Sequence, residues 1–330
     1  MILAGDVGGT KVNLAFFKQP LLEYEGINLA TFSSQKYENL NLIIRDYLNN
    51  TKENFKIEAA CFAVAGPIEE KKCYATNLPW IIDTKALVNE LNIPNVYLIN
   101  DLEANAYSIQ ILPTDSILQI HSKVIHPEGN RCIVSPGTGL GEAGLYWDGK
   151  SYYPFASEGG HCDFAPCNQL QMDFLSYLYD HFNHISYERI LSGPGLLNIY
   201  HFFRDKICLN EPLWLSEKIQ KGDPAEIITI HALEKKSILC EKTLDLFVSI
   251  LGAECSNSVL KYMAIGGVYL GGGIPPKILP KLKERIFYEA FLNKGRFRQL
   301  LKEVPVQIIL DDKASLKGAA YYCLLHSKKN

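Results

Sequence analysis

Asp6-Val7-Gly8-Gly9-Thr10-Lys11 sits between two apolar runs, residues 2–5 and 12–17, that read as strands around a glycine turn. Glycines tolerate φ > 0, and their missing side chains let backbone N–H groups close on an anion. Thr10 adds a hydroxyl donor. Asp6 offers hard oxygens suited to Mg²⁺, directly or through water. A plain tight hairpin would use the same residues. The theme returns at Ser135-Pro136-Gly137-Thr138-Gly139-Leu140-Gly141, between a strand at 132–135 and another at 143–147. The echo between 5–17 and 136–147 predicts two related halves facing each other across a ligand cleft, each offering one Gly-rich turn.

Working outward, the first third alternates strands and helices. Residues 37–48 carry apolar side chains at helical spacing, 57–65 read as a buried strand, and Asp83 caps a helix over 84–91. A strand at 96–99 leads into a helix over 101–111. Further on, Asp148-Gly149 is a hairpin signal between 145–147 and 152–153. The middle reads as helical over 169–182, 194–203, 212–221 and one long stretch, 224–260. A strand at 265–270, a helix at 281–292, a strand at 306–310 and a helix at 315–325 complete the pattern. Such alternation predicts an α/β fold with substantial parallel pairing.

Composition narrows the function. The 330 residues hold 33 Lys+Arg against 36 Asp+Glu, a formal charge of −3, and 47% are hydrophobic. This is a folded chain without the basic face that nucleic acid or anionic membrane would select. Nine cysteines, odd in number and without a CxxC pair, predict reduced thiols in a cytoplasmic compartment. The opening Met1-Ile2-Leu3-Ala4-Gly5 is too short for a signal peptide, and no run approaches the ~20 apolar residues of a membrane span. The Lys328-Lys329 tail reads as solvated.

Gly139, Gly141 and Gly144 fit GxGxxG, but a dinucleotide site needs a helix there, and 143–147 runs into a hairpin instead. GxxxxGK[ST] is absent. A third cluster, Gly266-Gly267 with Gly271-Gly272-Gly273, would let backbone approach a ring or ribose; close packing explains it equally well. Three clusters together point to a split nucleotide site. Asn100 and Asp101 follow a strand's carboxyl end, where open α/β sheets bind ligands. Asp101 alternatively serves as a helix N-cap; a helix N-terminus makes it a weak base, which suffices for orienting a hydroxyl in a loose phosphoryl transfer. Glu158-Gly159-Gly160-His161 and Glu188 supply groups that grip sugar hydroxyls, unless they are merely solvated. Thr76-Asn77-Leu78-Pro79-Trp80 offers an aromatic wall or a packed Trp. His161, Cys162 and Cys167 are near in sequence but lack zinc-site spacing.

At these motifs the chain resembles the bacterial glucokinase family, nearly end to end and with the motifs in the family's order. Glu158-Gly159-Gly160-His161-Cys162-Asp163-Phe164-Ala165-Pro166 and Glu188-Arg189-Ile190-Leu191-Ser192-Gly193-Pro194-Gly195-Leu196 are specific in combination. The resemblance implies a two-lobe actin-like ATPase (ribonuclease H-like) α/β fold with an interlobe cleft. The small lobe would span 1–110 with 301–330 returning to it, and the large lobe 111–300. It implies Asp101 as base towards the 6-hydroxyl of glucose, with Asn100, Glu158, His161 and Glu188 on other hydroxyls. Gly8, Gly9, Thr10, Gly137 and Thr138 would contact ATP phosphates, Gly271 and Gly272 the adenosine, and Asp6 would lie near Mg²⁺. Cytoplasmic homodimers are the family's usual form. The sister group of repressor, open-reading-frame and kinase proteins shares the Gly-Gly-Thr turn, but its CxCGxxGCxE segment is absent here, and a turn starting at Asp6 leaves no room for a helix-turn-helix. Rival expectations are another hexose, such as mannose or an N-acetylated sugar, a sugar sensor without catalysis, or a filament-forming ATPase.

Overall fold

The computed structural model describes residues 1–18, 25–53, 55–75, 78–121 and 128–327. Thr76, Asn77 and the Lys328-Lys329 tail lie outside the described residues. The chain forms two compact units. The first comprises Met1–Ser116, Tyr153–Ala156 and Asp311–Asn330; the second comprises Ile117–Tyr152 and Ser157–Leu310.

The first unit carries a five-stranded sheet in the order Ile27–Ser33, Lys11–Phe17, Ile2–Val7, Ala59–Val64, Val96–Asn100. The opening hairpin is antiparallel, with Val7 opposite Val12, and the next two strands pair parallel. Strand alternation splits the buried residues between two faces. Leu3, Leu14 and Phe16 pack with Ile43, Ile44 and Tyr47 of the helix Leu40–Asn50. Ile2, Ala4, Ala15 and Cys61 pack with Leu316, Ala319 and Ala320 of the helix Ala314–Ser327.

The second unit repeats the plan. Its strands run in the order Leu140–Trp147, Arg131–Pro136, Val268–Leu270, Val306–Ile309, Ile117–His121. Again an antiparallel hairpin comes first and parallel strands follow, as the sequence echo predicts. The helix Ile238–Tyr262 is buried along most of its length and anchors this unit's core.

Several expectations shift. The long stretch 224–260 is two helices, Pro224–Leu233 and Ile238–Tyr262, because Lys235 takes φ +53° and the Ser237 hydroxyl caps the second at Cys240 N. The 281–292 helix is likewise two, Leu279–Leu282 and Arg285–Leu292. Residues 37–48 begin their helix only at Leu40, where Asn39 caps Leu42 N. The strands Ile27–Ser33 and Ile117–His121 are partly exposed edges with weak apolar signal, and the sequence reading passed over them. No helix among the described residues is long and apolar enough to cross a membrane.

The helix Asp101–Ser108 lies tightly against Ala314–Ser327. A Cβ on Gly318 would collide with the carbonyl of Ala104, so only glycine permits this approach. Gly318→Ala is therefore expected to destabilise the fold by about 1–3 kcal/mol, the usual cost of overpacking. A lowered denaturation midpoint checks this; an unchanged midpoint would show that the two helices separate freely.

Candidate active site

In the first unit, Asp6 is the penultimate residue of the strand Ile2–Val7, beside the turn at 8–10. The turn closes through Gly8 N–H donating to the Lys11 carbonyl at 3.0 Å. Ser34, fully buried, donates from its hydroxyl to the Gly8 carbonyl at 2.7 Å and from its N–H to Thr10 O at 3.0 Å. It clamps the turn from outside, and only the contact reveals it. The glycines here supply room rather than unusual backbone: Gly8, Gly9, Gly137 and Gly139 all keep φ outside the left-handed region, contrary to the φ > 0 expectation. Thr10 is exposed.

Asp6 retains some solvent exposure, yet dense protein around it pushes its carboxyl pKa up. A hydrogen bond from Asn13 Nδ2 at 3.2 Å and the charges of Lys11 and Lys313 pull the other way. The buried Ser315 hydroxyl stands beside the Asp6 carboxyl and pulls the same way as Asn13. A desolvated carboxylate with few donors fits a hard cation. Mg²⁺ needs only one or two carboxylates when phosphates and water complete its shell. No group of three or more His, Cys, Asp or Glu among the described residues could hold a metal. His161, Cys162 and Cys167 therefore form no such group.

Asn100 ends the strand Val96–Asn100, and Asp101 is the first residue of the next helix. The helix cap is Asn100, not Asp101. Its Oδ1 accepts from Leu102 N at 2.9 Å and Glu103 N at 3.3 Å, and its Nδ2 donates to Gly66 O at 3.3 Å. One amide hydrogen remains for another acceptor. Relieved of the cap, Asp101 keeps a carboxylate at the strand's carboxyl end, with Leu102 N donating to its Oδ1 at 3.0 Å. Trp80 takes the blander of its two readings and is buried in the core.

In the second unit, strands Arg131–Pro136 and Leu140–Trp147 meet in the turn Gly137-Thr138-Gly139, with Gly137 N–H donating to Gly139 O at 2.8 Å. Glu188 reaches this turn. Its Oε2 accepts from Leu140 N at 2.9 Å and fills the space where a Cβ on Gly139 would sit. Thr138 is exposed beside a cavity of about 650 Å³, lined also by Gly193, Leu196, Gly273, Ile274 and Lys277. Gly271 and Gly272 precede the lining Gly273 but do not line the cavity themselves: Gly272, at φ +79°, is too near the Pro136 carbonyl for a side chain, and Gly271 abuts Ser135. Glu158 precedes the short turn Gly159–His161 and His161 ends it, both with exposed side chains, His161 Nε2 lying 3.9 Å from Glu158 Oε2.

Two hairpin-led mixed sheets, each ending in a Gly-rich turn at its carboxyl edge, define the two-lobe actin-like ATPase fold of sugar kinases. Comparison with known proteins agrees. The family model for glucokinase matches residues 3–326. A glucokinase of Nostoc punctiforme is 41% identical, over 97% of this chain and 98% of its own. A crystal structure of glucokinase from an Antarctic psychrotroph superposes with a TM-score of 0.85 at 30% identity, covering 98% of both chains. A glucokinase of the repressor, open-reading-frame and kinase (ROK) family from Streptomyces griseus, solved with glucose and AMPPNP, shares the fold at TM-score 0.67 and 18% identity, over 97% of each chain. The chain belongs to the glucokinase family.

Gly139→Ala is expected to leave the fold within about 1 kcal/mol, since the obstructing atom is the end of a flexible side chain. It should free Leu140 N–H from Glu188. Faster hydrogen exchange at the Leu140 amide reads this directly; unchanged protection would refute the contact's dependence on glycine.

Proposed function

We propose that the protein transfers the terminal phosphoryl group of ATP to the 6-hydroxyl of glucose, giving glucose 6-phosphate. The observation that carries this reading is Glu188. Its carboxylate joins the sugar-motif segment to the Gly137–Gly139 turn, which opens the nucleotide-sized cavity. One carboxylate of the proposed sugar site is thereby tied to one proposed phosphate turn within the second unit. Family membership supports glucose as acceptor, and the Streptomyces griseus neighbour's complex with glucose and AMPPNP supports a nucleoside triphosphate donor.

The residues divide the work. Asp101 accepts a hydrogen bond from the 6-hydroxyl, orients it, and takes its proton late, because a loose transition state asks little of the base. Asn100 gives its remaining N–H to a sugar oxygen. Glu158 and His161 grip further hydroxyls, accepting and donating as each OH requires. Glu188 has Oε1 for the sugar while Oε2 holds Leu140 N. The Gly9 backbone N–H and the hydroxyls of Thr10 and Thr138 hold phosphate oxygens, while Gly8 and Gly137, whose own N–H groups close their turns, leave room for the phosphates to approach. Gly271 and Gly272 leave room for adenosine, whose base suits the apolar side of the cavity. Asp6 would hold Mg²⁺, which when bound neutralises phosphate charge. The sugar must be held tightly and dry, since water competes as acceptor. We further infer a cytoplasmic homodimer, small lobe 1–110 with 301–330 and large lobe 111–300, from the same family membership.

Asp101→Ala should lower kcat by about 10²–10⁴, the usual share of a positioned base, with glucose still bound. A coupled glucose-6-phosphate assay and glucose binding by calorimetry check it. Near-normal turnover would remove Asp101 as base. A hexose panel giving higher kcat/KM for mannose or an N-acetylated sugar would replace glucose as acceptor.

A further inference from the structure

Glu142, on the strand Leu140–Trp147, and Glu254, on the helix Ile238–Tyr262, are the second unit's buried acids, at 1% and 0% exposure. Glu254 is well supplied with donors: Asn257 Nδ2 at 2.8 Å, Lys261 Nζ at 3.4 Å and the Tyr187 hydroxyl. Glu142 has little. Ser258 Oγ stands 3.5 Å from its Oε2, and its Oε1 is buried with no partner among the described residues. The two carboxyl groups are hydrogen-bond neighbours, and a bond between them needs a proton on one. The donors place the negative charge on Glu254 and the proton on Glu142. Burial and the Glu254 charge push the Glu142 pKa up to about 8, against a smaller pull from Lys261.

This acid lies beneath the turn between Glu158 and His161. Glu142 Oε2 occupies the space of a Cβ on Gly159, and the Leu140 carbonyl does the same for Gly160. The turn is tied down further by Gly159 N–H donating to Ser157 Oγ at 3.0 Å, which in turn accepts from the Tyr262 hydroxyl at 3.0 Å. We propose that Glu142 is a positioning residue for sugar: as a neutral acid bonded to Glu254 it seats the Gly159-Gly160 turn, and loss of its proton displaces Glu158 and His161. The inference rests on the reading of Glu158 and His161 as sugar contacts. Glu254, Cys255, Lys261 and Tyr262 face Glu142 from the helix, and Cys132 from the neighbouring strand. Tyr187 faces it through Glu254, and exposed Cys162 through Lys261. Burial pushes the Cys132 and Cys255 thiols well up, so they stay neutral across this range.

The test is the glucose KM from pH 6.5 to 9.5. It should be flat at the lower end and rise about tenfold per pH unit above about 8, with kcat changing less. Glu142→Gln, whose amide donates to Glu254 at every pH, should keep the low KM and abolish the rise; Cys162→Ser should retain it. Glu254→Gln removes the charge that raises the Glu142 pKa and should start the rise at lower pH. Thermal unfolding gives a second readout. A carboxyl with its folded pKa above its unfolded value stabilises fully below the unfolded value and loses that contribution as pH rises through the folded one. The melting midpoint should therefore fall from about pH 4.5 to 8, less steeply in Glu142→Gln. A flat wild-type KM, an unaltered rise in Glu142→Gln, or identical melting profiles would overturn the shared proton. Absence of glucose phosphorylation at any pH would overturn the proposed function instead, with the melting profiles still deciding the acid pair.

Discussion

Much of the second unit's chemistry depends on how closely two acids approach the glycines around one strand. At Leu140 the N–H is taken by Glu188 while the carbonyl lies against Gly160; two residues on, Glu142 lies against Gly159. A strand that forms the proposed phosphate hairpin thus also supports both segments proposed to hold the sugar. Substituents on Gly139, Gly159 or Gly160 would displace a carboxylate or a backbone carbonyl. The requirement is spatial, not torsional, since Gly137 and Gly139 keep φ outside the left-handed region.

The first unit solves the corresponding problem with side-chain clamps. Ser34 and Asn13 are buried polar residues whose hydrogen bonds end on the turn and on Asp6. Asn13 also accepts from Thr31 at 2.8 Å, so the edge strand Ile27–Ser33 steadies the side chain that donates to Asp6. Buried polar groups that are satisfied in this way fix one geometry, because each alternative leaves a donor or acceptor unpaired.

Much of this was legible beforehand. The Gly8–Thr10 and Gly137–Gly139 turns announce themselves by composition between apolar runs, and Asp83 by its place before a helical pattern. Less local facts were not legible. That Asn100 rather than Asp101 caps its helix depends on a backbone angle at one residue, and either side chain suits a cap. The break at Lys235 was passed over although the polar run Glu234-Lys235-Lys236-Ser237 interrupts the apolar pattern and Ser237 offers a cap; the positive φ of the lysine itself carries no mark in composition. Ser34 and Glu142 lay in plain view, Glu142 inside the GxGxxG decoy. A serine in a polar stretch and a glutamate on a strand acquire meaning only from what packs on them.

The helix Ala314–Ser327 seals a face whose strands begin at Ile2. During synthesis at about 5–20 residues per second, that face would wait roughly 10–40 s for its cover after the strand Val96–Asn100 and the helix Asp101–Ser108 have left the ribosome. Ile2, Ala4, Cys61 and Ile99 remain apolar and uncovered meanwhile. The small alanines on that surface limit how adhesive the nascent sheet is, while also leaving room for the late helix to seat closely against it.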